Sequence, residues 1–242
     1  MARSGSPSPV ITHASAVELA DAASSGSRPP TSERREEILL VARDLFFTRG
    51  FEAGSMRDLA GGIGLTQAAI YYHFKNKDEI LFALVDAFTE FLHDQLSRAL
   101  HETGDPVEDL RRAVRAHILL TRTHFREIKL VVEDKKLLGA AYTERVRQRE
   151  MRIYSLYRAR IEELKAAGMC RPIASSVIVF NTLAIINFIF QWYRPDGPLQ
   201  LEDVADQTVE LLTRGLLADA PPAAVRKKRA APHPMSPRGA KK

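Results

Sequence analysis

The chain has few of the features that mark disulfide-stapled, zinc-binding or membrane-spanning proteins. It has one cysteine, Cys170, which excludes an internal disulfide and a zinc site built from cysteine pairs. No uninterrupted apolar run reaches the roughly 18 residues that a membrane span needs. The closest run, residues 177–190, is interrupted by Asn181, Thr182 and Asn187. These absences favour a protein of a reducing cytoplasm with no membrane partner.

Enzyme signatures are also missing from the sequence. It contains no phosphate-binding loop, no nucleophile elbow and no paired carboxylates in a recognisable setting. We therefore expect no catalytic residue, no cofactor and no metal site.

The positive charge is concentrated at one end of the chain. Of the net charge of +5, residues 219–242 carry seven Lys or Arg and one Asp, so residues 1–218 total −1. Bulk charge therefore does not argue for nucleic-acid binding, and only the placement of charge within a motif can do so.

Helical periodicities run through most of the chain and no stretch has the pattern of a strand, which predicts an all-α fold. Residues 1–30 are rich in Ser, Pro and Ala, and residues 219–242 in Pro, Ala, Lys and Arg. Such compositions are typical of disordered segments. We expect a disordered extension at 1–30, a small helical head at 31–77, a larger helical domain at 78–218, and a basic disordered tail at 219–242.

The stretch from Ser55 to Ile80, SMRDLAGGIGLTQAAIYYHFKNKDEI, has the pattern of two short helices and the start of a third. Apolar residues share one face of the first helix at positions 56, 59, 60 and 63, and Ser55 suits its N-cap. Gly64 supplies the positive φ of a tight turn. Two short helices joined in this way are typical of a helix-turn-helix, whose second helix enters the DNA major groove.

The second helix of this pattern presents a polar outer arc. Ile70 and Phe74 face the core, which leaves outward the side chains of Gln67, Ala68, Ala69, Tyr71 and Tyr72. An amide can bond a base edge, tyrosines can bond phosphates, and the alanines allow close approach. From periodicity alone, a generic helical hairpin whose tyrosines only face solvent remains an equal alternative.

The segment from Thr66 to Leu81, TQAAIYYHFKNKDEIL, resembles the recognition helix and following helix of the TetR family of transcriptional regulators, and the resemblance covers roughly residues 33–82. It implies base reading by Gln67, Ala68, Ala69 and Tyr71. It implies contacts to the sugar-phosphate backbone by Arg57, Thr66, Tyr72, His73 and Lys77. The family often has Gly or Thr where Ala68 and Ala69 stand, a departure that bears on the operator sequence rather than on the binding mode.

Residues 172–192 form the most apolar predicted helix, with hydrophobic side chains nearly all round it. A helix of this kind must be covered on every side. In the TetR family the last two long helices pair with those of a second subunit, which would here be 172–192 and 201–217. We therefore expect a homodimer that depends on Ile185 and Ile189. The alternative is the central helix of a monomer.

The string Gln191-Trp-Tyr-Arg-Pro-Asp-Gly-Pro198 is similar to one in TetR-type regulators that sense acyl-CoA thioesters. We expect a small hydrophobic or acyl-CoA-type effector, with apolar side chains around its acyl group and cations near its phosphates. The candidate effector-binding residues are Phe88, Leu92, His117, Arg122, Phe125, Asn187, Gln191, Trp192 and Arg194. The polar members could equally satisfy one another across the dimer.

Together these features predict a homodimeric, ligand-responsive repressor that the effector releases from a palindromic double-stranded DNA operator. A helical adaptor that binds another protein and no DNA is the alternative. An enzyme that uses the helical cavity lacks a catalytic constellation.

Overall fold

The structure is a computed structural model that describes residues 31–218, so the extension and the tail expected at 1–30 and 219–242 lie outside it. Within the described range the fold is all-α, as predicted, with a single isolated β-bridge between Cys170 and Leu217. The helices are α1 Thr31–Arg49, α2 Met56–Ile63, α3 Gln67–His73, α4 Lys77–Ala99, α5 Pro106–Thr123, α6 Phe125–Val132, α7 Ala140–Ala166, α8 Ser175–Trp192 and α9 Leu201–Leu216. A 3₁₀ turn, Asp134–Leu137, follows α6.

Local hydrogen bonds fix the ends of the helices in the head. Ser55 and Asp58 form a capping box at the start of α2, and Gly64 ends that helix with φ 75°. The Thr66 hydroxyl accepts from the Ala69 N–H at 3.2 Å, and the Asn76 side chain accepts from the Glu79 N–H at 2.8 Å. The angle between α2 and α3 therefore follows from residues that are close in sequence.

Two apolar cores share the helix α4. The first core joins α1, α2 and α3 to the N-terminal half of α4, where Ile80, Leu81 and Val85 are fully buried. The second core joins the C-terminal half of α4, from Phe88 onward, to α5, α7, α8 and α9. Because one continuous helix packs into both cores, a displacement of α4 changes the packing of both.

The helical pattern of the sequence continues from Pro106 to Val132, but in the structure the helix breaks at His124. Its φ of −125° and ψ of 29° are not helical, so α5 ends and α6 starts in a new direction. In that direction Phe125 packs edge-on against Phe47 of α1 at 5.8 Å. The break thus brings α6 against the first helix of the head, a tertiary contact that hydrophobic periodicity does not report.

Helix α8 is the one helix of residues 31–218 long and apolar enough to cross a membrane by length and composition, yet only 33% of it is buried. Its inner side, which includes Val179, Ile186 and Ile189, packs into the second core. Its outer side is an apolar stripe, which we call the α8 stripe: Val177, Phe180, Ile185, Phe188 and Trp192. An exposed stripe of this size is typical of a protein–protein interface.

Candidate DNA-binding head and effector domain

Helix α3 is anchored by two side chains and exposes the rest. Ile70 and Phe74 are 0% and 1% exposed, whereas Tyr71 and Tyr72 are 51% and 75% exposed. Gln67, at the start of the helix, is also exposed. Two large aromatic side chains beside an amide on one solvent-facing arc are a surface suited to contact with bases and phosphates.

The other residues predicted to contact DNA lie around this arc. Arg57 is exposed in the first turn of α2, and Ala68 is exposed beside Gln67. Thr66 is exposed and its hydroxyl caps α3, while Ala69 is half-buried. His73 is half-buried, with its ring edge-on to Tyr72 at 5.1 Å. These residues all lie on α2, on α3 or in the turn between them.

The structure gives Lys77 different partners from the phosphate that was predicted. Its ammonium donates to the backbone carbonyls of Phe51, Glu52 and Gly54 at 2.6, 3.0 and 2.9 Å. It also lies 4.5 Å from the centroid of the Phe51 ring. An ammonium has three N–H donors and all three are used here. Lys77 therefore ties the start of α4 to the loop between α1 and α2.

The predicted effector-binding residues do not converge on one pocket. Phe88 and Leu92 are buried in the second core on α4. His117 is also buried there, with its Nδ1 3.2 Å from the Tyr157 hydroxyl. Burial lowers the pKa of His117 to about 4. The imidazole is therefore neutral near pH 7, so His117 does not supply one of the cations expected near the effector's phosphates.

The remaining candidates lie nearer the surface and have protein partners. Arg122 is exposed and pairs with Glu202 at 2.5 Å. Phe125 lies between Phe47 and the Phe190 ring, which it contacts edge-on at 5.9 Å. Gln191 donates to Glu133, Asn187 is half-buried, and Trp192 and Arg194 are exposed. This last group therefore follows the outer edge of α8 rather than the wall of a cavity.

A cavity of about 220 Å³ lies elsewhere, between α5, α7, α8 and α9. Its lining is mostly aliphatic, with Tyr157, Asn181 and two threonines as its polar members: Leu110, Val114, Tyr157, Ile161, Ile173, Val177, Ile178, Val179, Asn181, Thr182, Leu211, Leu212, Thr213, Gly215 and Leu216. Helical periodicity does not predict this cavity, because most of its lining residues have the pattern of core positions. Only their packing leaves a space between them.

The head and the larger domain also meet at a charged contact. The guanidinium of Arg43 on α1 is buried and donates to Glu127 of α6 at 3.0 Å. Arg126 of α6 lies 3.6 Å from Asp44 of α1. Together with the Phe47–Phe125 contact, these pairs attach α1 of the head to α6.

A small helical head with one exposed helix, a long shared helix, a cavity-bearing domain and an apolar outer stripe define a ligand-responsive, DNA-binding regulator. Residues 38–84 match the family model described as bacterial regulatory proteins, tetR family. Residues 103–216 match the tetracyclin repressor-like, C-terminal domain. The chain belongs to the TetR family of transcriptional regulators, whose members act as dimers on operator DNA.

Three similar proteins extend this comparison. The HTH-type transcriptional repressor KstR2 of Mycobacterium tuberculosis (strain ATCC 25618 / H37Rv) is 27% identical over 192 residues, 76% of this chain and 94% of that protein. The crystal structure of AibR with isovaleryl coenzyme A and operator DNA is 31% identical with a TM-score of 0.70, covering 75% of this chain and 98% of that one. PfmR from Thermus thermophilus is 31% identical with a TM-score of 0.68, covering 74% and 97%.

Proposed function

We propose that this regulator is a repressor, released from a palindromic operator when a small hydrophobic or acyl-CoA-type effector binds its larger domain. The observation that carries the proposal is the exposed arc of α3, held by its buried anchors Ile70 and Phe74. The repressor name of KstR2 and the ligand and DNA bound to AibR support it. In this proposal the chain works in the cytoplasm and performs no catalysis.

The proposed DNA-binding residues have two roles. Gln67, Ala68, Ala69 and Tyr71 face the base edges, because the helix N-terminus and its outer arc enter the groove first. Arg57, Thr66, Tyr72 and His73 contact the sugar-phosphate backbone. We do not assign Lys77 to this second group, because it positions the start of α4 against the loop between α1 and α2. The division into a head at 31–77 and a larger domain at 78–218 remains part of the proposal.

The proposed dimer interface is the α8 stripe together with α9. Its apolar side chains recur every three to five residues, so they fall on one side of α8. Phe180 and Phe188 are 59% and 60% exposed, and Leu211 of α9 is 67% exposed. Burying these side chains against a second copy is favourable at about 25 cal/mol per Å² of apolar surface.

A fluorescence-anisotropy titration on DNA that flanks the protein's own gene tests this function. The proposal expects specific binding, and release of the DNA by at least one member of a panel of acyl-CoAs, free acids and drugs. Tight specific binding that no compound reverses would remove the effector from the proposal. Absence of DNA binding would favour the adaptor.

A further inference from the structure

The C-terminal end of α3 is in contact with a cation from α1. The guanidinium of Arg35 donates to the backbone carbonyl of His73, the last residue of α3, at 2.8 Å. The same guanidinium lies 3.9 Å from the centroid of the Phe74 ring, which follows the helix. On the basis of the DNA-binding roles proposed above for α3, we propose that Arg35 is a positioning residue for DNA recognition. It holds the last turn of α3 so that Tyr71 and Tyr72 reach the operator.

Helix α3 is too short to be stable by itself. It has seven residues, and isolated helices shorter than about 12–15 residues are marginal in water. The carbonyls at its C-terminal end lack partners within the helix, because the chain leaves the helical path at Phe74, whose φ is −140°. The helix therefore depends on contacts from outside it, and different contacts hold its two ends.

The contact that holds the N-terminal end is local. The hydroxyl of Thr66 accepts from the Ala69 N–H at 3.2 Å, and Gln67 lies in this first turn. At the C-terminal end, Arg35 comes from 38 residues earlier in the chain than the carbonyl it binds. A positive charge at this end also interacts favourably with the helix macrodipole. The first turn of α3 thus depends on Thr66 and the last turn on Arg35.

Arg35 is suited to this role because the helix that carries it is fixed. Ile38 and Ala42 of α1 are 0% exposed in the first core. Phe74 is 1% exposed and Arg35 is half-buried, and a cation over an aromatic ring contributes more when the pair is shielded from water. The guanidinium therefore links the last turn of α3 to a part of the head that does not move independently.

Amide hydrogen exchange of the free, full-length dimer, followed by NMR, tests whether Arg35 holds α3. The Phe74 N–H donates to the Ile70 carbonyl at 3.0 Å and closes the last turn. In Arg35→Met this amide should exchange roughly tenfold faster, while the Ala69 amide, which Thr66 caps, keeps its rate. If Arg35→Met does not fold, Arg35→Gln, which keeps an N–H donor without the charge, should accelerate Phe74 by a smaller factor.

Anisotropy titrations on operator DNA at a fixed salt concentration test whether this anchoring serves recognition. Tyr72→Phe should weaken binding roughly fivefold in the wild-type background and less than about twofold in Arg35→Met, because a released turn no longer holds the hydroxyl at its phosphate. Gln67→Ala should weaken binding by the same factor in both backgrounds, because the first turn keeps its Thr66 cap.

Arg34→Met is the matched control. Arg34 is the neighbour of Arg35 on α1 and has the same charge, but it pairs with Glu37 of its own helix. This variant should leave the exchange rate of the Phe74 amide unchanged, and Tyr72→Phe should cost as much in its background as in the wild type.

An unchanged exchange rate of the Phe74 amide in Arg35→Met, or equal acceleration at Ala69, would overturn the positioning role. Additive losses for Arg35→Met and Tyr72→Phe would also overturn it. So would a salt dependence of binding that falls by about one counterion in Arg35→Met, which is expected if Arg35 contacts a phosphate directly. If the wild type bound no operator, faster Phe74 exchange would still show that Arg35 holds α3, and only the DNA-binding roles proposed above would be rejected.

Discussion

At the scale of single residues, burial separates the side chains that read DNA from those that hold the head together. Gln67 and Tyr72 are exposed on α3 and have no role in the apolar core. Lys77 lies two residues from Lys75 in sequence, yet its ammonium is enclosed by three carbonyl oxygens. Residue type alone does not distinguish a lysine that binds phosphate from one that binds the backbone.

Gln67→Ala should cost about 1–3 kcal/mol of binding free energy on the operator and much less on random DNA, because it removes a contact to one base pair per half-site. Tyr72→Phe, which removes only a hydroxyl, should weaken both DNAs alike, as expected for a phosphate contact. Anisotropy titrations at a fixed salt concentration measure both variants. Equal losses on the two DNAs for Gln67→Ala would contradict its role in reading bases.

Lys77→Met should lower the free energy of unfolding by about 2 kcal/mol, because three carbonyls lose a charged donor while the apolar stem stays. Urea denaturation of the full chain gives this value. Lys75→Met, an exposed neighbour, is the control and should be close to neutral. If Lys77→Met instead lowers only DNA affinity and leaves stability intact, the phosphate role first predicted from the sequence is correct.

His117 should make stability fall in acid. Its folded-state pKa of about 4 lies below the ordinary value of 6.5. The unfolded chain therefore binds the proton more readily, so this contribution is complete above about pH 6.5 and decreases as the pH falls toward 4. Near pH 5 the loss amounts to about 2 kcal/mol.

His117→Gln is the control for this pH dependence, since it removes the titrating group and keeps an acceptor for the Tyr157 hydroxyl. Urea denaturation from about pH 7 to about pH 5 should show the wild type losing more stability than the variant. Parallel curves would mean that His117 is not the group that titrates.

At the scale of helices, the sequence predicts those helix ends that are set by residues close to them in the chain. Asp105 and Pro106 mark the start of α5 in the sequence, because a capping side chain and a proline at the first position act within one turn. The sequence does not predict the break at His124, because the direction of α6 depends on a tertiary contact with Phe47 of α1. The predicted effector residues do not line one pocket for the same reason, since packing decides which face of a helix a residue lies on.

The prediction that the dimer interface depends on both Ile185 and Ile189 also belongs to this scale, and the burial of one of them corrects it. Ile185 is 36% exposed on the α8 stripe, but Ile189 is 1% exposed and packs into the second core. Ile185→Glu combined with Phe188→Glu should therefore give a folded monomer, because two charges enter an apolar interface. Ile189→Glu should instead unfold the larger domain.

Light scattering and circular dichroism separate these outcomes. The double variant should keep its helical signal and halve its mass, whereas Ile189→Glu should lose helical signal. A folded dimer from Ile185→Glu with Phe188→Glu would place the interface elsewhere.

At the scale of the whole molecule, the head and the cavity are joined by contacts that cross both cores. Helix α4 packs into each core, and Arg43 of α1 bonds Glu127 of α6. Phe125 of α6 touches both Phe47 in the head and Phe190 on α8. An effector changes DNA affinity through such contacts only to the extent that it binds the two head spacings with different affinity.

The most direct test of operator binding by a two-fold dimer is a hydroxyl-radical footprint on DNA that flanks the gene. The account predicts two protected half-sites related by a palindrome and centred on successive major grooves of one DNA face. Protection should disappear with Gln67→Ala at low protein concentration and upon addition of the effector. A uniform, salt-sensitive coating of the DNA with no half-sites would contradict the account.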